Sequence, residues 1–434
     1  MYRASPVTRV GGAIRVPGDK SISHRALMLG GIATGATRVS GFLGSADCLA
    51  TMAALRALGV QIVQHAGDQV LVTGAGERGL QASDAPLDMG NAGTAMRLSM
   101  GLLCGQHFAS TLIGDASLMK RPMERVAKPL RLMGARIDTQ EGLPPVILHG
   151  GARLHGIDYT LPMASAQVKS ALLLAGLQAA GTTRITEPAP TRDHTERMFG
   201  GFGVSVRRSG ATVELAGGQR LRGTDIRVPG DFSSAAFFIV AGCLAASDGL
   251  TVQGVGINPT RTGLLDMLRL MGARIHVREL PSMHGPEPLA DITVRASALR
   301  GAVIPPELVP LAIDELPILF IAAACAEGET VVTGAGELRV KESDRLAAMA
   351  EGLVAIGVRC ELLPDGIRIQ GGRVRGGRID SHGDHRIAMS FAMASLRATD
   401  PIDIEDVTNV ATSFPGFPAM ARAIGLQLEE ADGP

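Results

Sequence analysis

The sequence predicts an α/β (α+β) fold built from six strand–helix–strand–helix–strand–strand units, three in each of two lobes. Three observations predict it. First, IRVPGD occurs at 14–19 and again at 226–231, and LRLMGARI occurs at 130–137 and 268–275. Matches of that length mark internal repetition. Second, an apolar helical run, a glycine and an alternating strand recur at Gly59, Gly134, Gly203, Gly272, Gly357 and Gly425. The interval is about 70 residues, with one longer gap. Third, an Ala/Leu-rich run opens each unit, near Ser21, Ala92, Ala166, Ser233, Glu315 and His385.

Each element has a physical reason. A glycine just past the last helical turn takes the left-handed conformation that ends the helix, and the strand follows at once. The Ala/Leu-rich helices are apolar almost all round, so they are expected to be buried between layers. Short β-branched runs follow them, such as 37–42, 182–188 and 329–335. Six units exceed one core, and the PGD turn repeats only once, at the midpoint. That favours two lobes over a single solenoid. One lobe is expected at 19–228 and the other at 1–18 joined to 229–434, with a hinge at 17–19 and 229–231.

Composition narrows the function. The 434 residues contain 42 Lys+Arg and 42 Asp+Glu, so nothing global attracts nucleic acid or an anionic membrane. Aromatic residues are 3%, with no Trp, which argues against base-stacking platforms. The longest apolar run, 235–246, is short of the roughly 20 residues that span a bilayer. MYRASPVTRV lacks an apolar signal core, and the five cysteines show no CxxC spacing. A cytoplasmic protein is expected, its thiols reduced and serving neither as disulfides nor as metal ligands.

The chemistry-bearing residues cluster at helix starts. RVPGDKSISHR places Lys20, Ser21 and Arg25 where free backbone N–H groups seat small anions. It is not a Walker A loop, because Asp19 separates Gly18 from Lys20-Ser21. GNAGTAMR supplies Gly93 and Arg97, and MKRPM supplies Lys120 and Arg121 just before Pro122. MASAQVKS supplies Ser165, Gln167 and Lys169, and TRDHTERM supplies Arg192. The second half adds Asp314-Glu315, Lys341, Glu342, Arg345 and Arg386. Any one of these alone reads as a helix cap or a solvated charge. Together, at equivalent places in a repeated unit, they point to a cleft for small, multiply charged anions. So many cations would repel one another unless anionic ligands filled the site. Asp314 and Glu342 are candidates for proton transfer.

PGDKSISHR, GNAGTAMR, MKRPM, SAQVKSALLLAG, IDELP, RVKESDRL and DHRIAM, in this order, resemble the 5-enolpyruvylshikimate-3-phosphate (EPSP) synthase family, and its class II branch in particular. The likeness covers nearly the whole chain. It implies the two-lobed enolpyruvyl transferase fold, an inside-out α/β barrel. It also implies transfer of the enolpyruvyl group of phosphoenolpyruvate to the 5-hydroxyl of shikimate 3-phosphate, by a monomer without cofactor. By motif, Lys20, Ser21, Arg25, Ser165, Ala166, Gln167, Arg192, Asp314 and Lys341 would hold shikimate 3-phosphate. Lys20, Gly93, Gln167, Arg121, Arg345 and Arg386 would hold phosphoenolpyruvate. Asp314 would take the hydroxyl proton, Glu342 would protonate the methylene carbon, and Lys20 would assist.

Two departures from family patterns stand out. Thr412 occupies a place where some members carry Lys, and Gly93 one where some class II members carry Ala. The small Gly93 predicts that the phosphoenolpyruvate mimic glyphosate fits. Two other readings are weighed. A sister transferase acting on UDP-N-acetylglucosamine would carry a loop Cys and a Lys-Asn start, both lacking here. A non-catalytic anion-binding repeat protein would have no use for Asp314, Lys341 and Glu342 together.

Overall fold

The computed structural model describes residues 1–76, 79–281, 285 and 287–431. Their helices are α1 Lys20–Ile32, α2 Ala46–Ala57, α3 Gly93–Leu103, α4 Glu124–Leu132, α5 Ala166–Gln178, α6 His194–Gly201, α7 Phe232–Ala245, α8 Gly263–Leu270, α9 Leu316–Ala324, α10 Arg345–Ala355, α11 His385–Ala394, α12 Val410–Ser413 and α13 Phe417–Ala423. The first helix of each unit (α1, α3, α5, α7, α9, α11) is buried on nearly every face. Their all-round apolar sequences permit this and an amphipathic one would not. The six glycines that end the second helices have φ between 78° and 104°, the left-handed region closed to most side chains. The expected α/β fold of six repeated units is present.

Residue contacts divide the chain into two compact units. One contains Met1–Pro17, Pro229–Pro281 and Pro288–Pro434, and the other contains Gly18–Val228 together with Glu287. Each has its own apolar core, so each meets the main requirement of an independent domain. Among the described residues, five of the six sheets have four strands and one has three. In a typical sheet the strand before the first helix pairs in parallel with the strand after it, and an antiparallel hairpin completes the set. Asp158–Thr160, Thr182–Thr186, Thr212–Ala216 and Val206–Ser209 show the pattern.

The strands leading into the two IRVPGD turns pair in a way the sequence does not reveal. Gly12–Ile14, just before α1, pairs in parallel with Leu250–Gly256 in the first unit. Asp225–Arg227, just before α7, pairs in parallel with Thr34–Ser40 in the second. Each copy therefore completes a sheet in one unit and then feeds a helix of the other, and the chain changes unit at Pro17/Gly18 and at Val228/Pro229. Gly18 is required there, because a Cβ would lie 1.8 Å from the carbonyl oxygen of Gly41. The N-terminal strand Tyr2–Ser5 likewise completes the last sheet, between Ile402–Glu405 and Gln427–Glu430. Among the described residues no helix is long and apolar enough to cross a membrane.

Candidate active site

In the unit formed by Gly18–Val228, the start of α1 is set by Asp19, whose Oδ1 accepts the Ile22 N–H at 2.9 Å. That cap satisfies one of the N–H groups that the first turn leaves without an intrahelical partner. Lys20, half-buried, pairs with Asp47 of α2 (2.9 Å). One turn on, Arg25 is buried and spends its fork on neutral oxygens. Nε donates to Thr195 Oγ1 (2.7 Å), Nη2 to Ser170 Oγ (2.8 Å) and Nη1 to the Ser21 carbonyl (3.0 Å). Burial, first of all, lowers its pKa to about 10, so it stays cationic at neutral pH. His24, on the same turn, is pushed down to about 3 by burial, with Lys20 and Arg25 adding to the effect.

A second group forms around Gly93, the first residue of α3. Arg97 Nη1 donates to Gln167 Oε1 (2.7 Å), and Gln167 Nε2 donates to Thr94 Oγ1 (3.0 Å). Arg121 Nη2 donates to Asn91 Oδ1 (2.6 Å) and Ser117 Oγ (3.1 Å). A Cβ at Gly93 would lie 3.2 Å from Nη1 of both arginines, so the glycine is where the two guanidinium groups close in. Lys120 ends a 3-10 turn, and α4 begins two residues after Pro122, at Glu124. Ser165 is buried and caps α5, its Oγ accepting from the Val168 N–H at 3.4 Å, and Ala166 is the helix's first residue. Arg192 stands at intermediate burial before α6, close enough to Arg25 to lower its pKa.

In the other unit the charges are arranged differently. Arg345 opens α10, is almost wholly buried, and is ringed by carboxylates. Its Nε and Nη2 reach Asp384 at 2.8 and 3.3 Å, Nη2 reaches Glu342 at 2.6 Å, and Nη1 reaches Asp314 at 3.4 Å. Burial would lower the Arg345 pKa, but Asp384, Glu342 and Asp314 more than offset it and raise it. Burial would raise the Asp384 carboxyl, and the Arg345 charge instead brings it below the usual carboxylate value. Asp314 also lies 3.8 Å from Lys341 Nζ and 3.9 Å from Arg386 Nη2, and its carbonyl accepts from Arg386 Nη1 at 2.9 Å. Neighbouring Glu315 is buried and takes the Ser233 hydroxyl, with Arg261 at 3.5 Å. Thr412 turns its hydroxyl back to the Asn409 carbonyl (2.7 Å).

These contacts correct one expectation. Several of the clustered cations already have carboxylate neighbours inside their own unit, namely Lys20 with Asp47, Lys341 with Asp314 and Glu337, and Arg345 with three. Mutual repulsion therefore does not by itself demand an anionic ligand. Asp47 was missed because it lies in ordinary helical sequence, whereas Ser170 and Thr195 stand inside quoted motifs that nothing in the chain pairs with Arg25. The Asp before His385 in DHRIAM was visible, but nothing in the chain pairs it with Arg345. Among the described residues no three His, Cys, Asp or Glu side chains are grouped as a metal ion would need.

A family model for EPSP synthase (3-phosphoshikimate 1-carboxyvinyltransferase) matches residues 4–420. A 3-phosphoshikimate 1-carboxyvinyltransferase of Alkalilimnicola ehrlichii is 59% identical over 433 residues, covering 99% of this chain and 97% of that one. A solved EPSP synthase from Acinetobacter baumannii superposes with a TM-score of 0.88 at 51% identity, covering 99% of this chain and 100% of that chain. The enolpyruvyl transferase NikO from Streptomyces tendae, at 19% identity, TM-score 0.82 and coverage of 100% and 99%, shares the fold.

Proposed function

The chain belongs to the EPSP synthase family, and from that premise we propose how its side chains divide the reaction. It transfers the enolpyruvyl group of phosphoenolpyruvate to the 5-hydroxyl of shikimate 3-phosphate and releases phosphate, in the shikimate pathway to aromatic amino acids. Lys20, Ser21, Arg25, Ser165, Ala166, Gln167 and Arg192 hold shikimate 3-phosphate, with Asp314 and Lys341 at the reacting hydroxyl. Lys20, Gly93, Arg121, Gln167, Arg345 and Arg386 hold phosphoenolpyruvate, the arginines as forks for its carboxylate and phosphate.

Asp314 accepts the proton of the 5-hydroxyl as its oxygen bonds to C2 of phosphoenolpyruvate. Glu342 gives a proton to the methylene carbon, making a methyl group and a tetrahedral intermediate. Return of that proton to Glu342 rebuilds the double bond as the C2–O bond to phosphate breaks. Lys20 and the arginines offset the charge gathering on the leaving phosphate.

One observation carries this assignment: a single buried guanidinium, Arg345, touches both Glu342 (2.6 Å) and Asp314 (3.4 Å). It fixes the candidate acid and the candidate base relative to each other. Two further parts of the reading are that the two units act as the lobes hinged at 17–19 and 229–231, and that the enzyme works as a cytoplasmic monomer without nucleic-acid or membrane partners. Equal numbers of acidic and basic residues, 42 of each, support the lack of nucleic-acid and anionic-membrane partners.

The test is phosphate release by the purified protein. Release that needs both shikimate 3-phosphate and phosphoenolpyruvate is expected. Release with only one of them, or none, would overturn the reading.

A further inference from the structure

Lys169 is assigned no role by the reaction, yet it is the most deeply buried ammonium group of the described residues, with no exposed surface. It sits on α5, one turn beyond Ser165 and Ala166. Its Nζ lies 3.0 Å from Glu187 Oε2 and 2.8 Å from Glu196 Oε1. Glu187 follows the strand Thr182–Thr186, and Glu196 is in the first turn of α6. The loop from 188 to 193, between Glu187 and the start of α6, carries Arg192. Within it the Thr191 hydroxyl bonds back to Glu187, and Arg208 Nη2 closes on the same carboxylate at 3.3 Å. The α6 residue before Glu196, Thr195, accepts from Arg25 and donates to Ser170 of α5 at 2.8 Å.

A buried cluster of this kind is a poor source of stability, since apolar side chains of the same volume often serve as well. What it supplies is geometry. One ammonium group ties both ends of the Arg192 segment to the helix turn that carries Ser165, Ala166 and Gln167.

We propose that Lys169 is a positioning residue for shikimate 3-phosphate: it holds the Arg192 segment in register with the start of α5, so that Arg192 meets the substrate phosphate together with Ser165 and Ala166. This rests on the reading of Arg192 and Ser165 as phosphate ligands. Lys169 itself touches no substrate.

The test is a double-mutant cycle on the full-length enzyme with Lys169→Met, Arg192→Ala and the pair, reading KM for each substrate. Lys169→Met is expected to raise KM for shikimate 3-phosphate about tenfold and KM for phosphoenolpyruvate less than about twofold. In the Arg192→Ala background the same change is expected to add less than about threefold, because the segment it positions has lost its contact. Thr191→Val, which removes only the segment's own link to Glu187, is expected to move the same KM in the same direction and carries the test if Lys169→Met does not fold. A folded Lys169→Met or Thr191→Val enzyme with unchanged KM for shikimate 3-phosphate would overturn the proposal, as would fully independent effects in the cycle. Arg192→Ala with wild-type KM would instead remove the phosphate-ligand reading on which it stands.

Discussion

Asp384 holds Arg345 through two nitrogens, Nε at 2.8 Å and Nη2 at 3.3 Å, with both side chains buried. The same carboxylate caps α11 through the Arg386 N–H (2.9 Å) and accepts the Ser343 hydroxyl (3.1 Å). It therefore links the starts of α10 and α11. Asp384→Asn keeps the volume and removes the charge. Loss of a buried charge partner is expected to destabilise the fold by about 3 kcal/mol. KM for phosphoenolpyruvate is expected to rise at least about tenfold, since Arg345 loses its orientation. Urea titration and steady-state kinetics check the two effects separately, and a variant with wild-type values in both would remove Asp384 from this role.

Asp314 lies near Lys341, Arg345 and Arg386 but is no part of either core. Asp314→Asn is therefore expected to fold and to bind shikimate 3-phosphate within about threefold of wild type. Its kcat is expected to fall about a hundredfold or more, the scale of a lost general base. Calorimetric binding beside turnover measures this. Turnover surviving within a few-fold would assign the proton to another group.

Gly93 is the point where size matters most. A methyl group there would sit 3.2 Å from the Nη1 atoms of Arg97 and Arg121. Those nitrogens end flexible side chains, so they can shift, at the expense of their present hydrogen bonds to Gln167 and Asn91. Gly93→Ala is expected to keep activity, with KM for phosphoenolpyruvate raised modestly and the inhibition constant of the larger glyphosate raised about tenfold or more, the effect of an overpacked contact. Equal inhibition of the two enzymes would count against it.

His24 gives a pH dependence of stability. Its imidazole falls from 6.5 to about 3 in the folded protein, through burial first and then Lys20 and Arg25. The unfolded chain therefore binds a proton between those values that the folded chain refuses. The stabilisation is fully present above pH 6.5 and is lost as pH drops toward 3, at about 1.4 kcal/mol per unit. Wild type and His24→Asn, compared by chemical denaturation at pH 7, 6 and 5, are expected to differ in slope by about that amount. Parallel stability curves would show that His24 is not the group responsible.

How much was legible in the chain differs between fold and site. Helix starts were readable to within a residue or so, because caps such as Asp19, Ser165, Asp231 and Asp384 act on N–H groups two or three positions away. Helix ends were readable because a left-handed turn needs glycine. The crossing of strands at the two IRVPGD copies was not, since pairing Gly12–Ile14 with Leu250–Gly256 joins residues more than two hundred positions apart. No local preference encodes that choice.

The sequence by itself determined the repeat, the helix caps and the family motifs, all of which depend on interactions within a few residues of one another. Only the tertiary structure decided the state of the charges: Arg345 among three carboxylates, Arg25 on hydroxyls, Lys169 sealed between Glu187 and Glu196. The reason is that an ion's environment is set by whatever folding brings within a few ångströms of it. For Arg25 those neighbours come from 145 and 170 residues away.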